Sequence, residues 1–313
     1  MRKPWMADTT LFLVALVWGT TFLIVQQAIA SLPPNTFNAL RFTIASLFLL
    51  IIYFIRNRQR HQTSEWRGPL LLSGVILGFW LCLGYALQTV GLLYTTPSKA
   101  GFITGLAVVL VPLFSFLLLR DRVKPFAIVG VILAAFGLYL LTQNQSFSFN
   151  LGDALVFGGA FCFAMQIVLT GKYAPRFATL PLAITQLGTV GVISWLYAFF
   201  FEDWSRAFDP AILFKPEVAF GLIVTSIFAT ALAFLAQTAL QKQTSSTRVA
   251  LIFALEPVFA ALTSYVYIHE VLSGRQLTGC LLIFTGMILA ELPIQEWLRN
   301  FRQRKPNDGR ESA

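Results

Sequence analysis

The sequence predicts an all-α integral membrane protein whose ten transmembrane helices form two inverted five-helix repeats. Three observations carry the prediction. Of 313 residues, 57% are hydrophobic and only 12% charged, against roughly 25% charged in soluble domains, and the mean hydropathy is +0.71. Apolar runs of about 20 residues follow one another with short polar breaks, enough for a hydrocarbon core about 30 Å thick and too long for barrel strands of about 10 residues. Finally, residues 95–121, TTPSKAGFITGLAVVLVPLFSFLLLRD, return at 244–270 as TSSTRVALIFALEPVFAALTSYVYIHE.

Taken in order, the predicted spans are 8–29, 36–55, 68–92, 97–119 and 124–142, then 152–173, 180–201, 217–240, 246–268 and 273–293. They group into repeats at 8–142 and 152–293, followed by a basic tail at 294–313. A shift of 149 residues carries Gln88 onto Gln237, Lys99 onto Arg248, Ser115 onto Ser264, Asp121 onto Glu270, and Gly130 and Gly137 onto Gly279 and Gly286. Such register across a long stretch is the mark of a tandem duplication. Asp8 and Asp153 open the first span of each repeat. Five spans per repeat force the halves to insert with opposite orientation, about a pseudo-two-fold axis in the membrane plane.

Charge placement gives an independent reading of topology. With the N-terminus cytoplasmic, eighteen basic residues fall on the inside, among them Arg2, Lys3, Arg56, Arg58, Arg60, Arg67, Arg120, Arg122 and Lys124 and five in the tail. Only Lys99, Arg206, Lys215 and Arg275 fall outside. The bias places both termini in the cytoplasm. It also accounts for the net charge of +9 without nucleic acid. Cys82, Cys162 and Cys280 lie far apart inside apolar runs, as small core residues do, and lack metal-ligand spacing. The basic, apolar N-terminus lacks a small-residue cleavage site and is read as a retained first helix.

Polar groups inside the spans are the candidates for function, because a charge near mid-membrane costs about 2.5 to 3.5 kcal/mol on insertion scales. Two stand out, Glu256 and Arg41. At 1.5 Å per residue their depths differ by only a few ångströms, so they fall within pairing reach. Glu256 reads either as a structural carboxylate or as a substrate or proton site. Around them, Trp18, Thr21, Trp80, Tyr85, Gln88, Thr104, Gln166 and Gln237 are polar or aromatic groups in apolar surroundings, suited either to interhelical bonds or to a substrate cavity. Pro112 and Pro257 each remove a backbone donor and predict kinks that differ by about one turn between the repeats. Glu256 and Pro257 match Ala107 and Val108, so acid and proline belong to one half only. Trp5, Trp66, Trp204 and Trp297 are read as interfacial anchors.

Enzyme readings fail on the residues. No HExxH, GxSxG or P-loop is present, and His61 and His269 fall in loops or at span ends, so neither a catalytic centre nor a nucleotide-driven pump is indicated. No metal or cofactor is expected.

The stretches LVALVWGTTFLIVQQAI, NALRFTIASLFLL, PSKAGFITGLAVVLVPLFSFLLLRDRV and RVALIFALEPVFAALTSYVYIHE together resemble the EamA-like branch of the drug/metabolite transporter superfamily. Trp18-Gly19 resembles that family's WG element, Arg41 its second-helix arginine and Glu256-Pro257 its second-repeat EP. Gly-Glu commonly closes the equivalent helices in the family, where Arg120-Asp121 and His269-Glu270 stand here. The resemblance implies a secondary transporter, most often an exporter of amino acids or related metabolites, with a central cavity bordered by both repeats. It would act by alternating access as a monomer or homodimer, with Glu256 as the candidate for proton coupling. The alternatives are broad-specificity efflux of drugs and toxic compounds, and a non-transporting membrane receptor or scaffold.

Overall fold

The computed structural model describes residues 4–57, 66–121, 123, 125–142, 150–268 and 273–291. Arg2, Lys3, Arg58, Arg60, His61, Arg122, Lys124, the His269-Glu270 pair and the tail at 294–313 lie outside them. The described residues form helices joined by short turns, without strands. In order they form α1 Pro4–Ile29, α2 Pro34–Asn57, α3 Gly68–Gly91, α4 Pro97–Gly105, α5 Ala107–Phe114 and α6 Pro125–Thr142. There follow α7 Leu151–Tyr173, α8 Thr179–Phe201, the short α9 Pro210–Leu213, α10 Pro216–Ile223, α11 Ala233–Leu240, α12 Ser246–Phe253, α13 Glu256–Ile268 and α14 Gly274–Glu291. Two π-helical segments intervene, Ser115–Leu119 after α5 and Val224–Leu232 between α10 and α11.

Sequence explains where these helices start. Pro34, Pro69, Pro97, Pro125, Pro210 and Pro216 all stand in a first turn, where the missing N–H would have no helical partner anyway. Thr96 and Ser245, equivalent in the two repeats, cap α4 and α12 by accepting from the backbone N–H of Lys99 and Arg248.

Eight helical stretches are long and apolar enough to cross a membrane, while Pro125–Leu140 and Gly274–Leu289 are shorter. The reason is length: α6 and α14 have 18 residues each, about 27 Å at 1.5 Å per residue. These two pack on each other reciprocally. A Cβ on Gly137 would sit 2.6 Å from the Gly279 carbonyl, and one on Gly286 2.6 Å from the Gly130 carbonyl, so only glycine permits this crossing. Elsewhere α3 lies against α7 and α8, α2 against α8, and α1 against α13. Large apolar side chains such as Leu47, Ile51, Phe54, Ile132, Phe200 and Phe220 point outward, as a lipid-facing surface requires.

The expected inequivalence of the kinks is corrected by the backbone. The breaks fall at Leu106, between α4 and α5, and at Ala254–Leu255, between α12 and α13, and these positions match in the duplication. Leu106 N–H donates to the Ile103 carbonyl at 3.2 Å and Leu255 N–H to the Ile252 carbonyl at 3.1 Å. The same tightened turn therefore occurs in both repeats. Pro257 lies in the first turn after its break, whereas Pro112 lies within α5, one turn before the π-helical segment.

Candidate functional site

The two broken helices face one another across a cleft. On one side Gly105 approaches the Pro257 ring, 3.1 Å from where its Cβ would stand, and Gly101 faces Ala260. Gly19 brings α1 against α13: a Cβ there would lie 2.5 Å from the Glu256 carbonyl oxygen and 2.6 Å from Phe259 Cβ. These small residues bring the broken backbones close around one volume.

The larger cleft holds about 550 Å³ of atom-free space when the part open to its surroundings is counted. Its wall comes from both halves of the chain: Trp18, Tyr85, Gln88 and Thr104 from the first, Phe163, Gln166, Phe234, Gln237, Phe253 and Glu256 from the second. An adjoining cleft of about 320 Å³ shares Trp18, Tyr85, Gln88 and Glu256 and adds Thr21 and Arg41. Nine of the ten expected cavity residues thus meet around two connected clefts. Trp80 does not. It meets Phe79 edge-on at a ring-centroid distance of 5.8 Å and Phe161 at a tilt at 6.3 Å, both of them exposed, so its face of α3 turns outward.

The expected Arg41–Glu256 pair is absent among the described residues. Arg41 Nε donates to Thr230 Oγ1 at 2.6 Å and Nη2 to the Tyr85 hydroxyl at 3.4 Å, and its guanidinium carbon lies 4.6 Å from the Tyr85 ring centroid. The π-helical Val224–Leu232 segment supplies Thr230, and also the Ala229 carbonyl that accepts from Trp18 Nε1 at 2.7 Å. It fixes both α1 and α2 beside the site. Gln88 Nε2 donates to Thr104 Oγ1 at 2.9 Å, while Gln237 Nε2 is shared between Gln166 Oε1 and Gln241 Oε1. Sequence reasoning missed Phe163, Phe234 and Phe253, which nothing separates from the chain's other phenylalanines, 30 in all.

Two ion pairs bracket the clefts and cross between the repeats. Lys99, at the start of α4, pairs with Asp153 in the first turn of α7, and its counterpart Arg248, at the start of α12, pairs with Asp8 of α1 at 2.6 Å. Asp153 is fully buried. It also accepts from Thr95 Oγ1 at 2.7 Å and from Asn150 N–H at 3.0 Å, closing a capping box. The Arg248–Asp8 pair is more open, with 32% and 19% of the two side chains exposed. Thr244, the counterpart of Thr95, leaves its buried hydroxyl without a partner. The signal for these pairs was in the sequence, since Lys99 matches Arg248 and the two aspartates open the repeats. No group of three or more His, Cys, Asp or Glu that could hold a metal occurs among the described residues.

The sequence pattern of the EamA-like transporter family matches residues 5–143 and 150–292. An uncharacterised transporter of Archaeoglobus fulgidus is 35% identical over 288 residues, spanning 92% of this chain and 86% of the relative. The uncharacterised transporter YvbV of Bacillus subtilis is 29% identical over 286 residues, 90% of each chain. The protein PagO of Salmonella typhimurium is 25% identical over 301 residues, 94% of this chain and 96% of its own. A crystal structure that covers 96% of this chain and 99% of its own superposes with a TM-score of 0.74 at 21% identity, a likeness of fold.

Proposed function

We propose that this chain, which belongs to the EamA-like transporter family, is a secondary active transporter that exports amino acids or related small metabolites by alternating access. The observation that carries the reading is the cleft whose wall is drawn from both halves of the duplication and contains a buried carboxyl, Glu256. In this reading all ten apolar helices span the membrane, with the units at 8–142 and 152–293 in inverted orientation, the tail at 294–313 and both termini in the cytoplasm, and the protein in the inner membrane. The short α6 and α14 pack together on the pseudo-two-fold axis.

The mechanism follows from the crossed pairs and matched breaks. Lys99–Asp153 closes the outer end and Arg248–Asp8 the inner end. Rocking of one repeat on the other about the turns at Leu106 and Leu255 opens one end while the other stays latched. Nine residues, Trp18, Thr21, Arg41, Tyr85, Gln88, Thr104, Gln166, Gln237 and Glu256, line the route. Glu256 exchanges a proton for substrate in each cycle.

The experiment is flux in proteoliposomes containing only this protein. Labelled amino acids and their derivatives should exchange across the bilayer, driven by a pH gradient, and Glu256→Gln should abolish the pH-driven component while leaving the protein folded. Absence of flux for every solute tested, or pH-driven flux undiminished in that variant, would overturn the respective parts of the reading.

A further inference from the structure

The two charged side chains at the clefts are in unlike situations. Two Arg41 N–H groups are engaged by neutral protein groups, Nε by Thr230 Oγ1 and Nη2 by the Tyr85 hydroxyl, and the Tyr85 ring lies under the guanidinium. The Glu256 carboxyl, placed first in α13 and facing both clefts, receives no hydrogen bond or ion pair from any described residue. A carboxylate in apolar surroundings is stable only when a cation or donors meet it. Gln237 Oε1, buried at the same cleft, also has no donor. Two unmet acceptors, the Glu256 carboxyl and Gln237 Oε1, therefore face the larger cleft.

The rest of the wall has the same polarity. Five rings, Trp18, Tyr85, Phe163, Phe234 and Phe253, face the larger cleft, and no basic side chain lines it. They form a connected set, with Trp18 4.8 Å from Phe253 and 5.3 Å from Phe234, and Tyr85 5.1 Å from Phe163. The Trp18 N–H is already bonded to Ala229, so the indole offers the cleft no donor. Ring faces attract cations and repel anions. A substrate carboxylate seated in the larger cleft would find no basic side chain on its wall and would meet Glu256.

We propose that the larger cleft recognises a protonated amine with an apolar or aromatic body, its ammonium seated on Glu256 among the aromatic rings, in preference to a zwitterionic amino acid. This rests on the cleft's being the substrate site and narrows the solute from amino acids to amines that lack the carboxylate.

The test uses the full chain in nanodiscs and three probes that share a phenyl ring and short alkyl chain and differ in charge: phenethylamine, phenylalanine and 3-phenylpropionate. Titration calorimetry should give phenethylamine at least tenfold the affinity of phenylalanine, and no heat for 3-phenylpropionate. Glu256→Gln should weaken phenethylamine at least tenfold. Phenylalanine binding as well as the amine, amine affinity unchanged in the variant, or no amine binding would each overturn the proposal. Should Glu256→Gln fail to fold, the ratio between probes in the unaltered protein decides alone. Parallel flux measurements separate this inference from its premise. Amine bound but not transported upholds the recognition and sinks the transport reading, whereas phenylalanine flux without amine recognition does the reverse.

Discussion

Breaking the Lys99–Asp153 latch should perturb the protein far more than breaking its counterpart, although the duplication makes them equivalent. Asp153 is fully buried and Lys99 retains 19% exposure, and Thr95 and Asn150 complete the carboxylate's shell. Removing one charge of such a buried pair costs about 3 kcal/mol. The more open Arg248–Asp8 pair, 32% and 19% exposed, lies nearer the surface regime of about 0.5 to 1 kcal/mol. At 1.4 kcal/mol per tenfold, Asp153→Asn should raise local opening roughly a hundredfold and Asp8→Asn about two- to fivefold. Hydrogen exchange with mass spectrometry on the protein in nanodiscs reads this end by end. Amides near the starts of α4 and α7 should speed up in Asp153→Asn, and those near the starts of α1 and α12 only slightly in Asp8→Asn. Equal acceleration in both variants, or the reverse order, would refute the argument from burial. If it holds, the end closed by Asp8 is the one that opens more readily in the empty protein.

Three further outcomes follow from the packing. Gly19→Ala forces a Cβ against the Glu256 carbonyl and Phe259, an overpacking worth about 2 to 3 kcal/mol, so its melting temperature should fall by several degrees; an unchanged value would show that α1 does not abut α13 here. Arg120 adopts φ 57°, the left-handed conformation that costs a residue with a Cβ about 1 kcal/mol, so Arg120→Gly should raise the melting temperature slightly, and a lower one would contradict that backbone. Glu202 accepts from the backbone N–H groups and side chains of Asn35 and Thr36 at the start of α2, so Glu202→Ala should cost about 2 kcal/mol in chemical denaturation, with no loss indicating that α2 is capped otherwise.

The helical fold, the duplication and most of the cleft were legible because hydrophobic periodicity and repeat register are one-dimensional signals. Gln88 and Gln237, aligned by the duplication, indeed line one cavity. The inequivalence of the kinks was misjudged because the breaks fall at matching turns, Leu106 and Leu255, and only Pro257 stands beside its break, Pro112 lying within α5. Trp80 was misplaced because an aromatic in an apolar run looks the same whether it faces a cavity or lipid. Arg41 and Glu256 both line the smaller cleft, but a shared depth in the sequence reading does not fix azimuth, and the guanidinium turns to Thr230 and Tyr85. The Arg120-Asp121 departure from Gly-Glu now has a physical side, because Arg120 occupies a conformation that glycine adopts without cost, and Asp121 accepts from Ser115.

The π-helical stretch Val224–Leu232 has no counterpart in the first repeat, where α3 runs as regular helix from Gly68 to Gly91. A π-type turn closes on the fifth residue instead of the fourth, so each one acts as a phase shift between the helical segments it joins. Removing a single residue from this stretch would rotate α11 relative to α10 by about 100°. Gln237 and Phe234 would then swing off the cleft, and Trp18 would lose its contact with the Phe234 ring. The segment is thus an angular register device, by which two halves of one ancestral pattern present different side chains to a shared space.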